Sequence, residues 1–240
     1  MLLTVVAILF LAAFIRSAFG FGETLIGVPL LAFIMPVEMA APLSVLVSVI
    51  ASVIGVAQDW RDIHLRSAAL LVVSSCFGIP IGLWLLTAVP EQAVKSLLGV
   101  VIILFSAYFL LSKSRLRLKS DRLAWAFGFA GGVLGGAYGM NGPPLVAYGS
   151  LRRWTPQQFR ATLQGYFLPS SMLVMLGYWT AGLWTPEVTR NFLHALPAIF
   201  LAYFLGRMVN RRIDSRSFVI YVHAGLILIG IGLFLQARAG

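Results

Sequence analysis

Charge is what this sequence has least of. Only 11% of its 240 residues are charged, and its acidic side chains number 8. A soluble domain of this size carries about twice that charged fraction on its surface, so an ordinary cytosolic globule is excluded. Cysteine occurs once, at Cys76, which excludes a disulfide within the chain; inside an apolar run it reads as a small membrane-buried side chain. The histidines, His64, His194 and His223, are too scattered for any metal-ligand spacing. No glycine-rich nucleotide motif opens a soluble helix, and no nucleophile has a base beside it. The sequence therefore offers no cofactor site and no enzyme's constellation. The first apolar run has no Lys or Arg before it, unlike a secretory signal, so residues 1–15 are expected in the mature protein.

What the sequence has in abundance is hydrophobic residues, 60% of the chain. Uncharged runs such as 39–57, 67–89 and 217–236 reach the length of about 20 residues that crosses a bilayer as a helix. The net charge of +10 sits in short loops between these runs. Basic loops set orientation in a membrane, whereas a nucleic-acid footprint would be a basic face on a soluble fold. The expected surroundings are a lipid bilayer, with no nucleic acid.

One unit is used twice. Ala18-Phe19-Gly20-Phe21-Gly22 lies over Ala137-Tyr138-Gly139-Met140-Asn141, Gly82 falls opposite Gly206, and each half closes with a long apolar segment. The first repeat is 1–112, a basic cytoplasmic linker is 113–122, and the second repeat is 123–240. Each repeat opens with an interrupted segment: apolar 2–15, a glycine-rich polar break at 16–23 and apolar 24–34 in the first; apolar 123–134, a break at 135–144 and a short run ending near Tyr148 in the second.

Charge decides whether those segments cross or turn back. If they cross, the basic residues divide almost evenly and orient nothing. If each is a re-entrant hairpin, the basic residues of 61–66, 113–122, 152–160 and 207–216 gather on one side, and only Lys95, Arg190 and Arg238 remain on the other. The expected fold is an all-α polytopic membrane protein of two inverted repeats, each a re-entrant helical hairpin plus three transmembrane helices, with both termini outside.

Irregular backbone in a membrane is tolerated where it is buried in protein or lines a polar cavity, so the two breaks are the candidate site. Gly20, Phe21, Gly22 and Thr24 on one tip, and Tyr138, Gly139, Met140, Asn141 and Gly142 on the other, are candidates for substrate contact. Paired helix N-termini there favour an anion; the competing reading is that these glycines only make tight turns. Arg16 and Glu23 fit two roles, a salt bridge that holds the tip or a functional pair. Protonation of Glu23 would relieve its repulsion of an anion and couple transport to a proton. Arg160 and Gln164 share a helix face, with Tyr166 nearby; Arg160 fits an oxyanion clamp or a snorkelling interfacial charge. Ser44 and Ser48 share a face of the matching segment and either meet substrate or bond their own backbone.

At these residues the chain resembles the TauE/SafE family, the sulfite exporter or anion permease proteins. The resemblance rests on Phe19-Gly20-Phe21-Gly22-Glu23-Thr24-Leu25-Ile26-Gly27-Val28-Pro29, on Gly135-Gly136-Ala137-Tyr138-Gly139-Met140-Asn141-Gly142-Pro143-Pro144, and on Arg160-Ala161-Thr162. It implies a permease of the bacterial inner membrane for sulfite, sulfoacetate or another small sulfur-containing or organic anion. Without an ATPase module, an ion gradient would drive it. An anion channel using the same tips as a selectivity filter is the alternative. No oligomeric state follows from the sequence.

Overall fold

The computed structural model describes residues 2–111, 118, 120–210 and 215–239, without the side chains of 209, 210, 215–222 and 239. Most of the expected linker, including Lys113, Arg115, Arg117 and Lys119, and the loop holding Arg211 and Arg212 lie outside the described residues, as does the side chain of Arg216. The described residues form helices joined by short turns: α1 (Leu2–Phe19), α2 (Glu23–Leu31), α3 (Val37–Asp59), α4 (Leu65–Ala88), α5 (Glu91–Leu111), α6 (Ala124–Tyr138), α7 (Gly142–Arg152), α8 (Pro156–Thr180), α9 (Pro186–Asn210) and α10 (Ser215–Ala239). Proline punctuates the starts, as its fixed φ and missing N–H suit a first helical turn. Pro36 caps α3, and Pro156 and Pro186 open α8 and α9. Thr155 adds a capping box with Gln158.

The breaks are narrower than the sequence predicts. Helix α1 continues through Arg16 to Phe19, and α6 continues through Gly135 and Gly136 to Tyr138, leaving only residues 20–22 and 139–141 irregular. Gly135 and Gly136 stay helical because a bare Cα is needed there for close packing, not for a turn. A Cβ on Gly136 would collide with the carbonyl of Ile79, and one on Gly135 would press on Asn141. The returning arm α7 runs past Tyr148 to Arg152.

Both interrupted segments double back. Gly27 of α2 faces Ala12 of α1, and Glu23 faces Arg16, so α2 retraces α1. On the other segment Tyr148 of α7 reaches back to Asp121, just before α6, at 2.8 Å. The two hairpins open toward opposite ends of the molecule. The end reached by α7 also holds Arg61, Arg152, Arg160 and Arg207 and is called the basic end here.

Helix pairing follows a swapped pattern. Helix α4 lies along α6, α1 along α9, α3 against α8 and α5 against α10. The first hairpin arm of each half thus packs on the fourth helix of the other half. Gly82 and Gly206, matched in the sequence, occupy matched places: a Cβ on Gly82 would strike Val133 of α6, and one on Gly206 would meet Phe14 and Ser17 of α1. Along α6, Gly128, Gly132 and Gly136 recur every fourth residue and would each collide, given a Cβ, with a backbone oxygen of α4. Such small-residue seams let membrane helices pack backbone to backbone, where apolar burial supplies no driving force against lipid.

Five helices among the described residues are long and apolar enough to cross a membrane: α1, α3, α4, α5 and most of α9. Four of these are among the spans expected from sequence. Helix α1 qualifies by length although it belongs to a hairpin. Helix α8, 25 residues long, is expected to span but is less apolar, because it carries Gln157, Gln158, Arg160, Gln164, Ser170 and Ser171. Of α10, the segment His223–Arg238 forms a shorter apolar helix.

Candidate functional site

The two hairpin tips meet: Thr24, at the start of α2, lies beside Gly139 of the other tip. The first tip turns through Gly20 and Gly22, at φ 84 and 102, a region that residues with a Cβ rarely enter. That turn aims the first amides of α2, those of Glu23, Thr24 and Leu25, away from the helix without carbonyl partners inside it. The second tip has fewer donors. Pro143 and Pro144 carry no N–H, and the side-chain amide of Asn141 donates to Ser170 Oγ at 3.0 Å.

Arg16 is the centre of the site. It is only 3% exposed, as is Glu23. Its Nη1 donates to both Glu23 oxygens at 2.6 Å. Its Nη2 donates to Ser52 Oγ at 3.0 Å and to Gln164 Oε1 at 2.6 Å. The guanidinium carbon stands 4.8 Å from the ring centre of Phe167, which adds a cation–π contact. Gln164 completes the clamp by donating through Nε2 to the Gly20 carbonyl at 2.9 Å. One arginine therefore ties together the end of α1, the start of α2, the middle of α3 and α8. A buried charge of this kind is tolerated only when paired and fully hydrogen-bonded.

Two cavities meet at this residue. A vestibule of about 690 Å³ opens toward the basic end, lined by Arg16, Gly20, Gln58, Asp59, Arg160, Gln164, Tyr203 and Arg207 among others. A void of about 10 Å³ lies between the tips, lined by residues 21–25, Asn141, Gly142, Pro143, Phe105, Phe167 and Arg16. Among the described residues, Arg16 is the one common to both linings. The void is about the size of a single water site, too small for an oxyanion in this state.

The candidates from sequence divide. Gly20, Phe21, Gly22, Glu23, Thr24, Asn141 and Gly142 gather at the tips, and Arg16 and Gln164 join them from beside. Arg160 sits farther out, on the vestibule rim, its side chain 48% exposed and paired with Asp59 at 3.1 Å. Asp59 is thus part of the rim. Ser44, Ser48, Tyr138, Met140 and Tyr166 line neither cavity. Gly139 is closed in by Val45 and Ala41. Tyr138 donates instead to the Val94 carbonyl at 3.0 Å, and Tyr166 is fully buried against Gly131 of α6. Helical spacing accounts for this. Residues 160, 164 and 167 share one face of α8, whereas 166 points elsewhere. The same rule would have found Phe167. Ser52, also missed, is the next member of the series 44, 48, 52 on α3.

A second polar cluster holds the base of the α6–α7 hairpin. Asp121 accepts from Ser67 Oγ at 2.7 Å and from Tyr148 at 2.8 Å, and pairs with Arg152 at 3.3 Å. Burial alone would raise the Asp121 carboxyl. The hydrogen bonds from Ser67 and Tyr148 and the charges of Arg152 and His64 outweigh it and hold the carboxyl below its ordinary value.

Comparison with known proteins points the same way. A family model described as Sulfite exporter TauE/SafE matches residues 5–233. A protein of Cupriavidus necator named "Probable sulfite/organosulfonate exporter TauE" is 26% identical over 226 residues, which cover 92% of this chain and 88% of that one. No solved structure matches.

Proposed function

The chain belongs to the TauE/SafE family of sulfite exporters, multi-pass membrane transporters, and from that premise we propose that it is a secondary carrier. It exports sulfite, a sulfonate or a related small organic anion across the bacterial inner membrane. The observation that carries this reading is Arg16, a buried guanidinium standing between an open vestibule and a closed void, bound on one side to a carboxylate that an anion can replace.

The positive-inside rule makes the basic end cytoplasmic. Anions entering the vestibule are concentrated by Arg160 and Arg207 and reach Arg16 at its neck. Glu23 holds Nη1 with both oxygens, so a second anion cannot take the same donors until that carboxylate is neutralised. Protonation of Glu23 releases the guanidinium to grip an oxyanion in two-pronged fashion. The amides of Glu23 and Thr24, the Thr24 hydroxyl and the Gly142 amide then close around it. Anion and proton cross together, so a monoanion such as a sulfonate moves with no net charge, and a dianion such as fully ionised sulfite moves one net negative charge, which the inside-negative potential drives outward by about 2.3 kcal/mol per 100 mV.

Residues 1–112 and 123–240 act as two inverted repeats joined by the linker 113–122. The opposed hairpins and the swapped pairing of α1 with α9 and α6 with α4 support that reading. Access alternates as one repeat rocks against the other. Against a channel, the vestibule and the void are separated by the Arg16–Glu23 pair rather than joined.

The test is uptake of labelled sulfite into proteoliposomes holding the purified protein, with a sulfonate as competitor. A carrier gives saturable flux with counterflow, stimulated by acid on the side of the anion. Flux that does not saturate and shows no counterflow would replace the carrier with the channel.

A further inference from the structure

We propose that a stripe of serines on α3 is the outward leg of a proton path from Glu23. This inference rests on the proton-coupled reading above and adds the route.

Ser44, Ser48 and Ser52 recur every fourth residue, so they share one face of α3. They are 2%, 1% and 0% exposed. Four serines elsewhere, Ser74, Ser75, Ser150 and Ser170, donate to a carbonyl of their own helix, those of Leu71, Val72, Val146 and Tyr166. That is the usual fate of a serine in a membrane helix. The α3 serines are spent differently. Ser52 accepts from Arg16 at 3.0 Å. Ser48 faces Ser171 of α8 across 3.5 Å. The Ser44 hydroxyl oxygen is buried with no hydrogen-bond partner. An unpaired buried hydroxyl costs about 1–3 kcal/mol, so Ser44, left unpaired on the face it shares with Ser48 and Ser52, has a use beyond packing.

Their direction fits a path. Helix α2 starts at Glu23 and runs away from the basic end, and Gly27, one turn on, faces Ser44 with its missing Cβ leaving room. Ser52 is one residue removed from Glu23 through Arg16, and Ser44 lies farther from the basic end, between Ala41 and Val45, which close in Gly139 at the level of the tips. A proton leaving the Glu23 carboxyl passes to the first hydroxyl oxygen as that hydroxyl gives its own proton to the next. At the far end one proton enters outer water. Glu23 is left a carboxylate and recaptures Arg16, so no co-reactant is consumed. The stretched Ser48–Ser171 contact and the unbonded Ser44 leave the chain broken in this state, which prevents a proton leak while the vestibule is open.

Other charges near Glu23 are accounted for. Arg16 of α1 touches it, and Tyr203 of α9 lies within electrostatic reach. Asp59 of α3, Arg160 of α8 and Arg207 of α9 stand around the vestibule. Helices α5 and α7 present Phe105 and residues 142–143 to the tip void, without charge.

The experiment uses proteoliposomes with a trapped pH dye and labelled sulfite, so that proton and anion are counted together. Exchange of sulfite for sulfite leaves Glu23 protonated throughout and does not need the path; net flux does. For Ser44→Ala and Ser48→Ala the expected result is exchange within about twofold of wild type and net proton-coupled flux about tenfold lower. Ser48→Thr, which keeps a hydroxyl, restores the net flux. If exchange and net flux fall together, or neither falls, the path is wrong. Wild-type sulfite flux without proton movement overturns the coupling and the path but leaves the carrier. A folded wild-type protein with no sulfite flux removes the carrier reading and the path with it.

Discussion

The two hairpin tips have similar backbones and unlike chemistry. Each breaks a helix with glycine, each turns back, and the two approach each other at Thr24 and Gly139. The first tip carries Arg16 and Glu23 and a run of free amides. The second carries no charge, has Pro143 and Pro144 where amides would be, and binds its asparagine to Ser170. Two similar turns meet, and the ionic chemistry stands on one of them only. A symmetric pair of charges facing each other at the centre would repel across a low dielectric, whereas one charged tip and one neutral tip let a single anion decide the state. The interfaces differ in the same sense. The second hairpin is locked to α4 by Gly128, Gly132 and Gly136, whereas the matching positions of the first hold the larger Leu9, Ala13 and Ser17, of which Ser17 faces Gly206 of α9.

The largest effect is expected at the charged tip. Arg16→Ala leaves Glu23 buried without its partner, and breaking such a pair costs about 3–5 kcal/mol. Sulfite uptake should fall by about a hundredfold or more, and thermal unfolding in detergent should move down. Adding Glu23→Gln to Arg16→Ala should recover much of the stability and none of the uptake, which separates the structural role of the pair from the functional one.

Making the neutral tip acidic comes next. Asn141→Asp places a carboxylate at the void opposite Glu23, and like-charge repulsion should raise the KM for sulfite about tenfold, while Asn141→Ala changes it less. Equal effects from the two variants would mean that the lost bond to Ser170, not charge, is what matters.

The interfaces offer a smaller contrast. Gly132→Ala drives a methyl into the Ser75 carbonyl and should cost about 1–3 kcal/mol. Ala13→Gly, at the corresponding place on α1, should cost about 1 kcal/mol or less. Melting of the two variants side by side measures how much more firmly the second hairpin is held.

The smallest effect is at the hairpin base. Asp121 has a folded-state value below the ordinary 3.8, so its contribution to stability is full above that value and is lost as pH falls through the lowered one. Asp121→Asn should cost about 1 kcal/mol near neutral pH, and the difference from wild type should shrink in acid. A difference that grew on acidification would contradict the sign.

Much of this was legible before any coordinates. The repeated glycine motif located both tips, because broken helices in lipid need residues that can leave helical geometry. Tyr148 on Asp121 shows the second hairpin closing on itself. The extent of each break was not legible. A glycine that opens a turn and a glycine that admits a neighbouring backbone look alike in sequence, so Gly135 and Gly136 were expected in the break and lie in the helix. Arg16 was legible as a rare intramembrane charge, but its partners Ser52 and Gln164 lie 36 and 148 residues away, and only packing brings them together. Arg160 was the better oxyanion candidate on motif alone, and Asp59 holds it at the rim.

The most direct measurement is sulfite flux through Glu23→Gln under an imposed pH gradient. The amide mimics the protonated acid and leaves Arg16 open to an anion at every pH. Sulfite should exchange readily, and acid on the sulfite side should no longer accelerate net flux, with a sulfonate that does not titrate in this range behaving the same way. Full retention of the wild-type dependence on the gradient would contradict the claim that anion and carboxylate take turns on Arg16.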